Sequence, residues 1–446
     1  MERLSSFEMN NGLIDVMSRL IPPDCYLKAN GSDLLSVTNE STDIPLSSID
    51  LFCGAGGITE GFRQAGYQCL YGNDVMPEAI STFKHNHPHA VADPRGVESV
   101  QPREIRKLLG MSVGQLDLLA GGPPCQGFSI NAPGRFLNDS RNKMFRHYER
   151  FLEEFLPRAF VFENVPGLLS IDDGRVFEEI IKIFSERGYS VSAKILFAAH
   201  YGVPQERWRL IILGSREGTI EHPEPTHFAA RRANFRGGSS MIFRLNEADR
   251  FRLNPHETVR DAIGDLPRLK IGEGGEVVPY TCEPNSLYSM ALRNPAGETY
   301  NHYAANLSGQ NQERMKHVAP GGSWRDIPVE LLPKGMQRAR RSDHTKRYGR
   351  LSNDSLAGTV MTKCDPHWGT VFLPDQERTL TVREAARFQS FPDHYRFIGP
   401  RVSQYIQVGN AVPVFMARAL AWKIRQHLSV SLKRTVLEKH SEVAYG

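Results

Sequence analysis

Cys125 stands in "LLAGGPPCQGFSI", Leu118 to Ile130, directly after two glycines and two prolines at the end of an apolar run. Proline fixes φ and glycine admits backbone angles that other residues avoid, so the turn is rigid and holds either a corner of the fold or a reactive thiol. A nucleophilic cysteine must be accessible and at least partly thiolate, and the end of a strand is where open α/β sheets bind ligands. Two further fragments supply partners. "FVFENVPGL" puts Glu163 at the end of an apolar strand, where packing accounts poorly for an ionisable group. "YGVPQERWRLIIL" sets Gln205, Arg207 and Arg209 on alternating positions, so that all three can share one face. A structural salt bridge is the plain reading of any one of them; a cysteine, a glutamate and an arginine at three strand mouths suggest a site. For Cys53, Cys69, Cys282 and Cys364 the plain reading, a small buried hydrophobe, is preferred.

A second loop, "DLFCGAGGITEG", lies where a dinucleotide fold carries its glycine fingerprint. Gly54, Gly56 and Gly57 are followed by Ile58 and Thr59, so the third glycine that packs helix and strand around a pyrophosphate is missing. A nucleoside ligand without phosphate, such as S-adenosylmethionine, fits better, with Asp74 of "YGND" placed for its ribose hydroxyls. A nicotinamide cofactor or a plain tight turn remain as alternatives.

These residues need a frame, and the chain spells one. From Ser47 to about residue 221, apolar strand segments alternate with amphipathic helical ones, which predicts a doubly wound, mostly parallel sheet covered on both faces. Residues 222–375 are rich in Pro, Gly, Asn and Arg and lack a sustained period, so they are assigned to a second, irregular domain. Residues 376–430 return to helical text, with Asn410 read as an N-cap, Pro413 in the first turn, and Val414, Ala417, Ala421, Ile424 and Leu428 as one stripe packing back on the first domain. Residues 1–46 read as an extension whose helix, Leu13 to Leu20, docks on the rest, and 431–446 as a tail. With 54 Lys and Arg against 50 Asp and Glu, a net charge of +4 leaves any nucleic-acid partner to a local basic surface. The most basic stretch is "KGMQRARRSDHTKRYGR", Lys334 to Arg350, with Tyr348 among the cations. Six scattered cysteines argue against a zinc site and a disulfide framework, and for a reducing, intracellular setting. No apolar run approaches the roughly 18 residues of a membrane span.

Taken in order, "DLFCGAGG", "GGPPCQGFS", "ENV", "QERWR", "TVREAARFQSFPD" and "QVGNAVP" closely resemble the successive motifs of the DNA (cytosine-5)-methyltransferases. The likeness covers roughly residues 47–430 apart from the middle region, and six ordered motifs are far more specific than one. It implies a Rossmann-like, S-adenosylmethionine-dependent methyltransferase acting without a metal. Cys125 would add to C6 of a cytosine flipped out of the duplex. Glu163 would hold its N3 and N4 edge, Arg209 would reach O2, and Arg207 would support the same face. For the donor the family implies Phe52 on the adenine, Gly54, Gly56 and Gly57 in the loop, Asp74 on the ribose, Val75 beside the base, Asp93 on the adenine amine and Asn410 near the methionine part. The pair Asp74-Val75 is shorter and less aromatic than is common there, which bears on the strength of donor binding.

The segment "SINAPGRFLNDSRN" resembles the loop that closes on flipped DNA, with Gly134 as a hinge and Arg135 and Arg141 for phosphates. Gln126 would contact DNA beside the nucleophile. The middle region would be the target-recognition domain, with Lys334, Arg338, Arg340, Arg341, Lys346 and Arg347 as its DNA contacts. The partner implied is double-stranded DNA, met by a monomer in the cytoplasm if the source is prokaryotic, with a separate cognate restriction endonuclease as a possible companion. Two rivals are methylation of RNA, which the long basic region disfavours, and a catalytically silent binding relative, which would be expected to have lost Cys125, Glu163 or Arg209. The missing third glycine disfavours a nicotinamide oxidoreductase, and the lack of a His beside Cys125 a thiol hydrolase.

Overall fold

The fold was analysed in a computed structural model that describes residues 45–124, 144–231, 233, 235, 237–340, 342 and 346–444, with side chains up to residue 429. The expected docking helix of residues 13–20 lies outside them, as does the "SINAPGRFLNDSRN" loop.

The alternating text folds as it reads. Strands β1 (Leu46–Leu51), β2 (Tyr67–Asn73), β3 (Val91–Asp93), β4 (Leu118–Gly121), β5 (Ala159–Asn164), β6 (Ser190–Phe197) and β7 (Trp208–Ser215) form one sheet in the order β3-β2-β1-β4-β5-β7-β6. Neighbours from β3 to β5 run parallel, while β7 is antiparallel to both β5 and β6. Between them lie α1 (Gly57–Gln64), α2 (Pro77–Asn86), α3 (Pro102–Leu108), α4 (Met144–Phe155) and α5 (Arg175–Glu186). Side chains alternate across the sheet. Leu119, Phe160, Phe162, Leu210 and Ile212 join one buried cluster, under α4 and α5. Leu118, Ala120, Ala159, Val161, Ile211 and Leu213 join the other, under the C-terminal helix. The chain winds outward in both directions from β1 and β4, so the crevice beyond their carboxyl ends is the switch point where such sheets take ligands. Both glycine-bearing turns leave the sheet there.

Beyond the sheet the elements shorten: β8 (His227–Phe228), β9 (Asn254–Pro255), α6 (Val259–Ile263), β10 (Gly274–Pro279), α7 (Leu287–Leu292), β11 (Glu298–Tyr303), α8 (Gly309–Lys316), β12 (Gly349–Arg350) and β13 (Thr370–Phe372). Within the irregular stretch, Val259, Ala262, Tyr288 and Leu292 share a cluster with the sheet and the C-terminal helices. Met315, Val318, Trp324, Ile327, Met336, Tyr348 and Phe372 form a core of their own. Three helices complete the chain, α9 (Val382–Phe388), α10 (Arg401–Asn410) and α11 (Val414–Ala444).

The stripe expected on α11 is buried throughout. The helix crosses α1 so closely that a Cβ on Gly61 would sit 2.5 Å from the Val414 carbonyl and 2.6 Å from Ala417 Cβ. Asn410 is not the N-cap of α11. It is the last residue of α10, and α11 begins after Pro413, whose carbonyl accepts from the Ala417 N–H while the Val414 N–H turns to the Gln389 carbonyl. Pro413 has no N–H to satisfy, so the chain can break at Ala411–Val412 and restart without a side-chain cap.

Candidate active site and donor pocket

The end of β4 has no room for side chains. A Cβ on Gly121 would lie 2.9 Å from the Leu51 carbonyl, and one on Gly122 would lie 2.6 Å from Glu163 Oε2. The second glycine thus leaves space for a carboxylate beside the turn that leads to Cys125. Asn164 fixes the same turn from β5: its Nδ2 donates to the Pro123 carbonyl at 3.2 Å while its Oδ1 accepts from the Val165 N–H at 2.8 Å. Below, the Tyr148 hydroxyl bridges the carbonyls of Leu119 and Val161 at 3.1 and 3.0 Å, tying β4 to β5. Asn164 has no role in the sequence reading; the signal available is an amide next to an ionisable residue at a strand end.

Glu163 meets Arg209 across the sheet edge. Arg209 Nε lies 2.7 Å from Glu163 Oε1, with the two side chains 15% and 13% exposed, so the pair is sheltered yet reachable. Arg209 Nη1 also donates to the Trp208 carbonyl at 2.8 Å, and the Trp208 ring stacks on Phe197 at 4.3 Å. Gln205 and Arg207 take another course. Arg207 is buried and donates through Nη2 to the carbonyls of Gly409 and Ala411, both at 2.9 Å. Burial, helped by the nearby charge of Arg209, pushes its guanidinium well below the ordinary arginine range. Gln205 Nε2 donates to the Phe388 carbonyl and Gln389 Oε1, and its Oε1 accepts from the Val360 N–H. These two residues splice the C-terminal helices onto β7, and Arg209 alone of the three reaches Glu163.

The donor loop is set by backbone. Phe52, Gly54 and Gly56 have φ of 57°, 53° and 90°, and the Gly56 N–H closes a turn on the Cys53 carbonyl at 2.8 Å. A Cβ on Gly56 would meet the Tyr395 hydroxyl at 2.7 Å, and one on Gly57 the Val412 carbonyl at 2.5 Å. Gly54 is different: a Cβ there meets nothing within 4 Å, so the loop opens on free space. Asp74 accepts the N–H of Gly54 and of Met76, one on each oxygen at 2.9 Å, and burial raises its pKa. A carboxylate offers about four lone-pair sites, which leaves two for a pair of hydroxyls. Val75 beside it is 69% exposed and Phe52 half-buried, giving apolar surface to a flat base. This opening, diol acceptor and apolar rim fit S-adenosylmethionine.

Asp93 is engaged already. Its oxygens accept from the Arg95 N–H, from Arg95 Nε and Nη2, and from the Tyr71 hydroxyl at 2.7 Å. Burial would raise its pKa, but these bonds hold it below the usual carboxylate range. A donor amine would reach it only if the half-exposed Arg95 moved aside. Asn410 is exposed, next to the Gly409 carbonyl that Arg207 holds.

Lys334, Arg338 and Arg340 are exposed. Lys346 Nζ pairs with Glu206 at 3.1 Å, and Arg347 lies over the Trp368 ring at 5.0 Å with its Nη1 3.3 Å from His367 Nε2. Tyr348 does not stand among the cations at the surface. It is buried, with a φ of 49°, its hydroxyl 3.3 Å from His367 Nδ1, and it packs in the cluster with Met315 and Phe372. Cys125, Gln126, Arg135, Arg141 and Arg341 lie outside the described residues. Among the described residues no cluster of ligating side chains suits a metal, and no helix is long and apolar enough to cross a membrane.

Comparison with known proteins gives the family. The family model of C-5 cytosine-specific DNA methylases matches residues 46–426. The type II methyltransferase M.AgeI of Thalassovita gelatinovora is 35% identical over 86% of this chain and 100% of its own length. M1.HphI of Haemophilus parahaemolyticus is 34% identical over 84% of this chain and 86% of its own. Among solved structures, a candidate DNA modification methyltransferase from an E. coli prophage superposes with a TM-score of 0.65 at 22% identity, covering 86% of this chain and 99% of that one. The chain belongs to the C-5 cytosine-specific DNA methylases: it is a DNA (cytosine-5)-methyltransferase of a family whose methyl donor is S-adenosylmethionine.

Proposed function

We propose that the protein methylates C5 of a cytosine flipped from duplex DNA, through a covalent adduct between Cys125 and C6, as the modification arm of a type II restriction-modification system. The observation that carries this reading is the Glu163–Arg209 pair, held at 2.7 Å beside the Gly-Gly-Pro-Pro turn that delivers Cys125. Cytosine C5 is a weak nucleophile. Addition of the Cys125 thiolate to C6 forms the S–C6 bond and moves the ring electrons to C5, which then attacks an electrophilic carbon. Arg209 occupies Glu163 Oε1 and leaves Oε2, the oxygen beside Gly122, to hold the N3 and N4 edge and protonate N3. The Arg209 guanidinium takes charge displaced onto O2. S-adenosylmethionine supplies the methyl group as a cation-activated electrophile. After transfer, water removes the C5 proton, the returning electron pair expels the Cys125 thiolate, and N3 gives its proton back to Glu163, restoring the ring.

Because C6 is stacked inside a duplex, the nucleotide must leave the helix, at a cost of a few kcal/mol offset by pocket contacts. Phe52, Asp74, Val75 and, once Arg95 has moved, Asp93 would hold the donor, with Asn410 at its methionine end. Gln126, Arg135, Arg141, Lys334, Arg338, Arg340, Arg341, Lys346 and Arg347 would meet the DNA. The relatives named as type II methyltransferases support the restriction-modification role. A separate endonuclease as companion, a monomeric enzyme and a cytoplasmic setting in a prokaryote complete the reading we propose. The test is methyl transfer from labelled S-adenosylmethionine to duplex DNA and to tRNA in parallel. Methyl groups at C5 of cytosine in one sequence context of the duplex, lost in Cys125→Ala, are expected; transfer to tRNA alone would overturn the reading.

A further inference from the structure

Glu206 sits between the two splicing residues Gln205 and Arg207 and points away from them. Its backbone is fixed on both sides: its N–H donates to the Ala357 carbonyl at 2.8 Å and its carbonyl accepts from the Thr359 hydroxyl. Its carboxylate is only 19% exposed, yet it faces two cations from opposite ends of the recognition region. Arg231 Nη2 lies 2.9 Å from Oε1, and Lys346 Nζ lies 3.1 Å from Oε2. Both cations are about half exposed, at 51% and 50%. Lys346 lies over Gly358, where a Cβ would come within 3.7 Å of Nζ, and it lines a cavity of about 290 Å³ together with Thr359, Lys363, Trp368 and Thr370. One rigid carboxylate, three residues before Arg209, thus gathers side chains that are far apart in sequence and still open to solvent.

We propose that Glu206 is a positioning residue that orders Arg231 and Lys346 as a pair of phosphate contacts, setting the register between the DNA backbone and the Glu163–Arg209 centre. The inference rests on duplex DNA as the substrate. An acidic residue facing a polyanion ordinarily weakens binding by repulsion, so its neutralisation should tighten the complex. Here the expectation is reversed. A long cation held in place by a half-shielded carboxylate loses less freedom on meeting a phosphate than an unrestrained one, and its outer N–H groups remain available.

The full chain is tested for equilibrium binding to sheared, unmethylated genomic duplex DNA over a range of salt, and for methyl transfer to the same DNA. In Glu206→Gln the affinity should fall about fivefold, the scale set by two exposed ion pairs, despite the added net positive charge. The slope of log affinity against log salt should shrink by about 1 to 2, about 1 for each phosphate left without its cation. Glu206→Asp should recover most of both effects. Arg231→Ala and Lys346→Ala should each shrink the slope by about 1 in the wild-type background and by less in Glu206→Gln. Tighter binding of Glu206→Gln with an unchanged slope would show that the carboxylate merely repels DNA, and strictly additive double variants would show no coupling; either overturns the proposal. Wild-type methyl transfer to this DNA, measured alongside, separates the two questions. Its absence sinks the duplex substrate, whereas its presence with an unaffected Glu206→Gln sinks only the role of Glu206.

Discussion

Two buried carboxylates show how differently the sheet edge and the C-terminal helical layer are built. Asp50, near the end of β1, is 2% exposed, has one oxygen on the Thr59 hydroxyl at 2.7 Å, and has no partner for Oδ1 among the described residues. Desolvation pushes its pKa up to about 7, against the Thr59 hydrogen bond. Glu384, on α9, is 1% exposed and just as desolvated. The Arg378 charge and its two hydrogen bonds, with the Thr381 N–H, bring its pKa down to about 2. Arg387 repeats the pattern between Asp265 and Asp393. The helical layer satisfies its charges and serves as a frame. Among the described residues, the sheet leaves one buried carboxylate oxygen, Asp50 Oδ1, without a partner close to the glycine loop, beside the residues proposed as the site.

The sharpest way to break this contrast is to remove one charge from each region. Glu163→Gln should cut methyl transfer roughly 10³-fold while leaving thermal unfolding nearly unchanged. A comparable loss of stability would make Glu163 part of the frame. Arg378→Met should do the opposite, costing about 3 to 5 kcal/mol in denaturant unfolding because Glu384 is left charged and unpaired. If stability were kept, the helical layer would not depend on its ion pairs.

The pH dependence of stability separates the two carboxylates next. Asp50 has a folded pKa above its unfolded value, so the native state binds the extra proton between about pH 4 and pH 7, and stability falls as pH rises through that window. Glu384 has a folded pKa below its unfolded value; its contribution is present above about pH 4.3 and is lost as pH falls toward 2. Asp50→Asn should flatten the fall between pH 4 and 7, worth on the order of a few kcal/mol, and leave the acid limb unchanged. An unchanged profile would mean that Asp50 does not titrate there. The smallest effect concerns the donor pocket. Arg95→Ala should free Asp93 and tighten S-adenosylmethionine binding about threefold in calorimetry, the scale of one exposed ion pair; weaker binding would make Arg95 itself a donor contact.

Much of the sheet is legible in the sequence because it is local: strand alternation gives β1, β2 and β4 to β7, though not the three-residue β3, and glycines mark both turns, with prolines at the second. What sequence reading does not deliver is set by distant partners. The destination of Arg207, the Gly409 and Ala411 carbonyls, depends on residues about 200 positions away in the chain. That Arg95 covers Asp93 follows from a two-residue contact whose side-chain geometry no periodicity encodes. Asn410 has the type and spacing of a cap, but Pro413 makes a cap unnecessary. Tyr348 reads as an aromatic among cations, and its burial comes from a cluster with Met315 and Phe372 that no local pattern announces. The irregular region is hardest to read because its order comes from buried long-range bonds, such as that from Arg350 to the Met315 carbonyl, rather than from any repeat.

The central claim is that the turn after β4 delivers a nucleophilic thiol to a cytosine held by Glu163 and Arg209. It is tested most directly by incubating the protein with S-adenosylmethionine and duplex DNA carrying 5-fluorocytosine, where the fluorine cannot leave as the C5 proton does. A stable protein–DNA species that maps to Cys125, disappears in Cys125→Ala and forms much more slowly in Glu163→Gln is the result expected. Methylation of ordinary duplex DNA with no such species, or a species that survives Cys125→Ala, would contradict it.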